Sequence, residues 1–167
     1  MLHVPRTPRP RPLSGAFRYR HDIEIRFVDT DALGHVNNAV YFSYFEAARS
    51  GYYAAVSGHA FGTGPDAARL AFVIAEAHIT YRQPARFGEP LVCSCRVDWV
   101  GRSSFNLAYR IEAEDSPVGI ARVIADGSSV QVFYDLERAT VMRMPPDLLE
   151  RIIDFEGRDL PRRSGSG

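Results

Sequence analysis

Hydrophobic and polar positions change period along this chain, and the changes divide it into elements. From Asp22 to Val28 they alternate, with Ile23, Ile25 and Phe27 on one face and Asp22, Glu24 and Arg26 on the other. That pattern predicts a half-buried strand. From Asn38 to Val56 the alternation stops. Val40, Tyr41, Phe42, Tyr44, Phe45, Ala47, Ala48, Tyr52 and Ala55 leave only a narrow polar stripe at Ser43, Glu46 and Ser50. A helix with so little polar surface needs other elements wrapped around it. Asn37 or Asn38 is the expected N-cap, since a side-chain oxygen there can accept from the first unpaired N–H groups of the helix. Glycines and Pro65 in the stretch from His59 to Leu70 predict a connection without an element of its own.

Four strand patterns follow. Phe72–Arg82 carries Val73, Ala75, Ala77, Ile79 and Tyr81 on one side, and Leu91–Val100 groups Leu91, Cys93, Cys95, Val97 and Trp99. Phe105–Ala113 groups Phe105, Leu107, Tyr109, Ile111 and Ala113 after a short Gly101–Arg102 turn suited to a hairpin. Gly119–Tyr134 is a long last strand, and Gly127 within it predicts a bulge or bend. Pro146–Phe155 predicts a short helix with proline near its first turn and Leu148, Leu149 and Ile152 on one side. The apolar faces of the strands need cover, and the Asn38–Val56 helix is the long apolar helix available. The expectation is an α+β fold with one antiparallel sheet around that helix.

Composition narrows the picture. The 167 residues suit one domain with a real core. Lys and Arg number 20 and so do Asp and Glu, so a broad basic field for nucleic acid is not expected. Cys93 and Cys95 lie two apart on a strand, about 7 Å from each other and too far to bond. Reduced core thiols suit a cytoplasmic protein. No apolar run reaches the ~18 residues of a membrane span. The basic, proline-rich start lacks the apolar region of a secretory signal. The expected organisation is a disordered arm over 1–18, one domain over 19–157 and a disordered tail over 158–167.

The candidate chemistry lies between the first strand and the helix, in Asp29, Asp31, Gly34, His35, Asn37 and Asn38. Carboxylates and amides beside a helix N-terminus make a ready site, because its N–H groups are unpaired and its dipole favours negative charge. An aspartate in such a loop most often caps a turn, a use open to Asp29 and Asp31 alike. His35 reads as an acid/base group or as a hydrogen-bonded structural residue. Glu46 is a second candidate carboxylate, with Arg49 spaced to pair with it along the helix. No metal-ligand spacing, nucleophile elbow, P-loop or dinucleotide fingerprint occurs, so neither metal nor organic cofactor is expected.

The run DTDALGHVNN, together with Arg26, Tyr41, Tyr44, Glu46 and Arg49, resembles the hotdog-fold acyl-CoA thioesterases of the 4-hydroxybenzoyl-CoA thioesterase-like superfamily. YRQPARFGEPL (Tyr81–Leu91) and VGRSSF (Val100–Phe105) are similar to that family's second-strand exit and following hairpin, so the likeness covers Ile23 to Phe155. The resemblance implies hydrolysis of a thioester to a free acid and CoA. Asp31 stands where the family has its nucleophile or general base, and Asn38 where a backbone N–H polarises the carbonyl, with His35 and Asn37 beside them. It implies substrate contacts from Gly34, Tyr41, Glu46 and Ser103, and CoA phosphate contacts from Arg82, Arg86 and Arg102. It also implies a homodimer or homotetramer. The His-Val-Asn-Asn segment is absent from the 4-hydroxybenzoyl-CoA type, and plant acyl-carrier-protein thioesterases carry a similar one, so the acyl group and its carrier stay open. A non-catalytic acyl-thioester binder is the alternative from another functional class.

Overall fold

The computed structural model describes residues 16–60, 63, 72–135 and 137–163. In chain order the elements are β1 (Tyr19–Ile23), α1 (Val40–Ser57), β2 (Phe72–Tyr81), β3 (Leu91–Val100), β4 (Ser104–Ala113), β5 (Arg122–Asp135), β6 (Thr140–Val141) and α2 (Pro146–Glu156). They form one antiparallel sheet in the order β1–β3–β4–β5–β2, with β6 paired to the end of β5. Tyr41, Tyr44, Phe45, Ala48 and Tyr52 of α1 share one core with Leu91, Cys93, Cys95 and Val97 of β3 and with Leu107, Tyr109 and Ile111 of β4. The expected 59–70 connection lies almost wholly outside the described residues.

The first strand is shorter and earlier than its alternation predicts. It ends at Ile23, and Phe27–Asp29 forms a single 3-10 turn. The carboxylate of Asp29 accepts the backbone N–H of Arg26 at 2.9 Å, which bends the chain and turns Phe27 and Val28 outward. Register shifts at Ile74/Glu76 in β2 and at Val97/Trp99 in β3 correct two predicted faces. Ala77, Ile79 and Tyr81 share the helix side of β2 with Phe72 and Ile74, while Val73 pairs on the opposite side; Trp99 leaves the core side of β3 and Val100 takes its place.

Gly127 carries no bulge. It pairs in register with both neighbours, and a Cβ there would lie 2.4 Å from Phe45 Cε2. The glycine lets the Phe45 ring reach the sheet, where it stacks on Tyr109 at 4.4 Å.

α2 is fastened by a buried carboxylate. Glu156 Oε1 accepts the Tyr52 hydroxyl and the Val97 N–H, each at 2.7 Å. The chain beyond it is not a free tail. Arg158 donates to the Val97 carbonyl; at the end of β3 the Val100 N–H donates to the Pro161 carbonyl, and the Arg163 N–H donates to the Val100 carbonyl. At the other terminus Arg18 donates to the Glu156 carbonyl and Phe17 lies over the Arg96 guanidinium, so 16–18 also pack on the domain. The rest of the predicted arm and tail, 1–15 and 164–167, lies outside the described residues.

Candidate active site

The loop between β1 and α1 carries two aspartates with different surroundings. Asp29 lies at its base, 1% exposed. Its carboxylate accepts from the Arg26 N–H, from the Arg26 guanidinium at 2.7 Å and from the Tyr44 hydroxyl at 3.0 Å. Burial alone would raise its pKa; the Arg26 and Tyr44 donors outweigh it and hold the carboxyl below its ordinary value. Tyr44 is pushed up in turn, first by burial and then by Asp29.

Asp31 lies at the tip and is half-buried. One oxygen, Oδ1, accepts the N–H of Leu33 at 2.8 Å and of His35 at 3.4 Å, which fixes the plane of the carboxylate. Oδ2 has no hydrogen bond among the described residues. The tip is closed by Asp31 N–H to the His35 carbonyl and Gly34 N–H to the Asp31 carbonyl. Gly34 takes a φ of +74°, which a side chain would resist.

The helix entrance follows directly. The N-cap is Ala39, which corrects the expected asparagine. Asn37 acts one step earlier: its Oδ1 accepts the Ala39 N–H at 2.9 Å, and its own N–H donates to the Asp29 carbonyl. The Asn38 carbonyl accepts the Tyr81 hydroxyl at 2.8 Å, and no hydrogen bond uses its N–H among the described residues. Tyr81 is therefore part of the site although its strand pattern marks it only as a core-side residue. Tyr41, expected at the substrate, is buried instead and packs edge-on against Tyr81 and Tyr44, so it supports the entrance from below.

A second segment braces the loop. His35 pairs with Arg86, and the Val36 N–H donates to the Ala85 carbonyl. Buried Glu89 holds this segment in shape: it accepts the Arg86 N–H at 2.8 Å and pairs with both terminal nitrogens of Arg122. Burial raises the Glu89 carboxyl, but Arg122 and the Arg86 amide outweigh that and lower it. Arg86 is exposed, and its guanidinium forms no ion pair within 4 Å among the described residues. No hydrogen bond engages the His35 ring among those residues.

Further along the helix from this entrance, an open groove of about 340 Å³ lies between α1 and β2. Phe42, Phe45, Ile74 and Ala77 give it an apolar lining, with Glu46 and Arg49 the charged groups along it. Glu46 is exposed and forms no ion pair with Arg49, although their spacing allows one.

The other predicted substrate and phosphate ligands are dispersed. Arg82 is held by Asp126 at 3.1 Å, and Arg110 takes the other oxygen of that carboxylate. Arg102 and Ser103 lie at the β3–β4 turn, the opposite end of the sheet from the Asp31 loop, about 30 Å away along ten-residue strands. Within one chain the structure gathers Asp31, Gly34, His35, Asn37, Asn38 and Arg86, but not Arg102 or Ser103.

A family model described as "Thioesterase-like superfamily" matches residues 25–152. No curated protein matches the sequence. Among solved structures, a thioesterase from Thermus thermophilus, crystallised with coenzyme A and Zn, is 33% identical over 86% of this chain and 98% of its own, with a TM-score of 0.72. A hypothetical protein from Thermus thermophilus is 26% identical over 82% of this chain and 98% of its own, at 0.67. A 1,4-dihydroxy-2-naphthoyl-CoA thioesterase from Synechocystis shares the fold at 18% identity, over 81% of this chain and 96% of its own, at 0.71.

Proposed function

The chain belongs to the thioesterase-like superfamily and has its hotdog fold, and from that premise we propose that it hydrolyses acyl-CoA thioesters. The observation that carries the reading is the pairing of an unengaged Asn38 N–H at the entrance of α1 with an Asp31 carboxylate that keeps one oxygen free. A thioester carbonyl resting on that N–H and on the positive end of the helix dipole presents its carbon to Asp31. As general base, Asp31 takes a proton from water while the water oxygen attacks the carbonyl carbon. The C–S bond then breaks, and the CoA thiolate leaves and takes up a proton. As nucleophile, the same oxygen attacks the carbonyl carbon and the C–S bond breaks, expelling CoA thiolate and leaving a mixed anhydride that water opens to the free acid and the Asp31 carboxylate. Both routes need the carboxylate at the loop tip. The Glu46 backbone is about 12 Å further along the helix, and even leaning back its short side chain stays roughly 8 Å from that entrance, too far for the same carbonyl within one subunit.

The acting unit in this reading is a homodimer. β2 is a ten-residue edge strand, with Val73, Ile74 and Tyr81 each more than 40% exposed. An edge of that length and character calls for a partner. A two-fold antiparallel pairing of β2 with its copy brings the far end of one sheet alongside the Asp31 loop of the other. Arg102 and Ser103 of the partner subunit then reach the entrance with Arg86 and face the CoA phosphates. Light scattering at micromolar concentration should give a dimer or tetramer of the 18.7 kDa chain; a stable monomer contradicts the arrangement.

The experiment that tests the reading is release of free CoA thiol from thioesters of graded length and aromaticity. Release well above the uncatalysed rate for at least one thioester is expected. Tight binding of acyl-CoA with no release would make the protein a binder rather than a hydrolase.

A further inference from the structure

Arg49 lies at the far end of the groove and is half-buried, on the same helix that opens at Asn38. It forms no ion pair among the described residues. Glu46, one turn nearer the entrance, is exposed at the rim and does not reach it. The guanidinium faces the buried Tyr109 hydroxyl, a neutral hydrogen-bonding group whose pKa is raised first by burial, and not an anion. A charge partly withdrawn from water without an anion is costly, and the cost is recovered when an anion arrives. Phe42, Phe45, Ile74 and Ala77 give the groove its apolar surface, with the small polar Ser43 and Ser129 among them and Glu46 at the rim.

The direction of the groove is fixed at both ends. The Tyr81 hydroxyl meets Asn38 at the entrance, and Phe72 packs near Tyr53 beyond Arg49, so β2 and α1 run side by side over this length. Arg49 follows Asn38 by eleven residues, about 16 Å along the axis. Helical side chains lean back toward the N-terminus, which brings the guanidinium to about 10–13 Å from the Asn38 N–H. That span fits an extended acyl group of about seven to ten carbons.

We propose that Arg49 is a specificity residue that receives a carboxylate at the distal end of the acyl chain, so that the preferred substrates are medium-length dicarboxylic acids carried as monothioesters. This rests on the acyl-CoA reading above. The apolar lining takes the methylenes, and Arg49 takes the terminal charge by a charge-assisted hydrogen bond. A chain ending in methyl would leave the cation without an anion beside it, so the site discriminates through the charge it leaves uncompensated.

The test compares suberic acid monothioester with octanoyl-CoA, which match in carbon count, together with their non-hydrolysable thioether analogues. The wild type is expected to favour the carboxylated compound by about tenfold or more in kcat/KM and in thioether affinity. In Arg49→Met the ratio should fall to near one or below, while Arg49→Lys should restore part of it. Equal handling of the two by the wild type overturns the assignment. So does an Arg49→Met variant that loses both in the same proportion, which would mark Arg49 as a packing residue. The thioethers separate this assignment from the hydrolase reading. If binding keeps its preference while neither thioester is cleaved, the reaction is wrong and Arg49 stands; if octanoyl-CoA is cleaved with no preference, the reaction stands and Arg49 falls.

Discussion

Asp29 and Asp31 are two residues apart on the same loop, yet the fold treats them in opposite ways. At the base, Asp29 is buried and its oxygens are taken up by Arg26 and Tyr44. At the tip, Asp31 commits one oxygen to the turn and keeps the other open. The loop is thus a rigid base carrying a reactive tip. A carboxylate saturated by donors stabilises structure and has no lone pair to offer substrate, whereas one half-engaged is held in place and can still react. A DxD pair alone does not show which residue has which role; the hydrogen-bond partners do.

Removing the base should do the most damage. Asp29→Ala leaves the Tyr44 hydroxyl and the Arg26 N–H without their acceptor and should cost about 2–4 kcal/mol in denaturant unfolding, kept to the lower part of the range by the solvent exposure of Arg26. The pH dependence has a definite sign. The folded carboxyl titrates below its ordinary value, so its contribution is complete above about pH 4 and is lost as the pH falls through the folded pKa. Asp29→Asn should flatten that acid limb; an unchanged limb would show that Asp29 is not what acid breaks.

Tyr44→Phe is a gentler break of the same base. It removes one of the donors and leaves those from Arg26, for an expected loss of about 1 kcal/mol, read as a small drop in the thermal midpoint. Gly34→Ala acts at the tip instead. The site has open space for a Cβ, so only the φ of +74° is strained, at about 1 kcal/mol. Because the strain falls on the turn that orients Asp31, turnover should fall severalfold with little change in midpoint. A midpoint loss as large as that of Tyr44→Phe with normal turnover would show that tip geometry is irrelevant to activity.

Much of this was legible in the residue pattern. β3 matches its predicted bounds, α1 differs by two residues at its start and one at its end, and the β3–β4–β5 meander follows from the hairpin turns, whereas β2 leaves a four-strand meander to pair with β5. The pattern failed where a single contact overrides periodicity. The outward turn of Phe27 depends on a hydrogen bond from Arg26 to Asp29, and the shifted faces of Val73 and Trp99 follow one-residue register changes among side chains apolar on both sides. The site was legible as a loop and a helix entrance. What it lacked was distance: Arg102 belongs to the opposite end of the sheet, and Arg82 is taken by Asp126, 44 residues away in sequence. Tyr81 and Arg49 fall within the resembling stretches, but their local pattern gave neither a contact with the helix entrance nor a place in the groove.

In the proposed reaction Asp31, and not Asp29 or Glu46, carries the chemistry. The decisive measurement is turnover of Asp31→Asn on the best thioester of the graded series, with the thermal midpoint and the affinity for the matching thioether taken on the same preparation. Turnover should be lower by about 10²-fold or more, with a midpoint within about 2 °C of wild type and unchanged affinity. Turnover within a few-fold of wild type, or a larger loss in Glu46→Gln than in Asp31→Asn, would contradict that assignment.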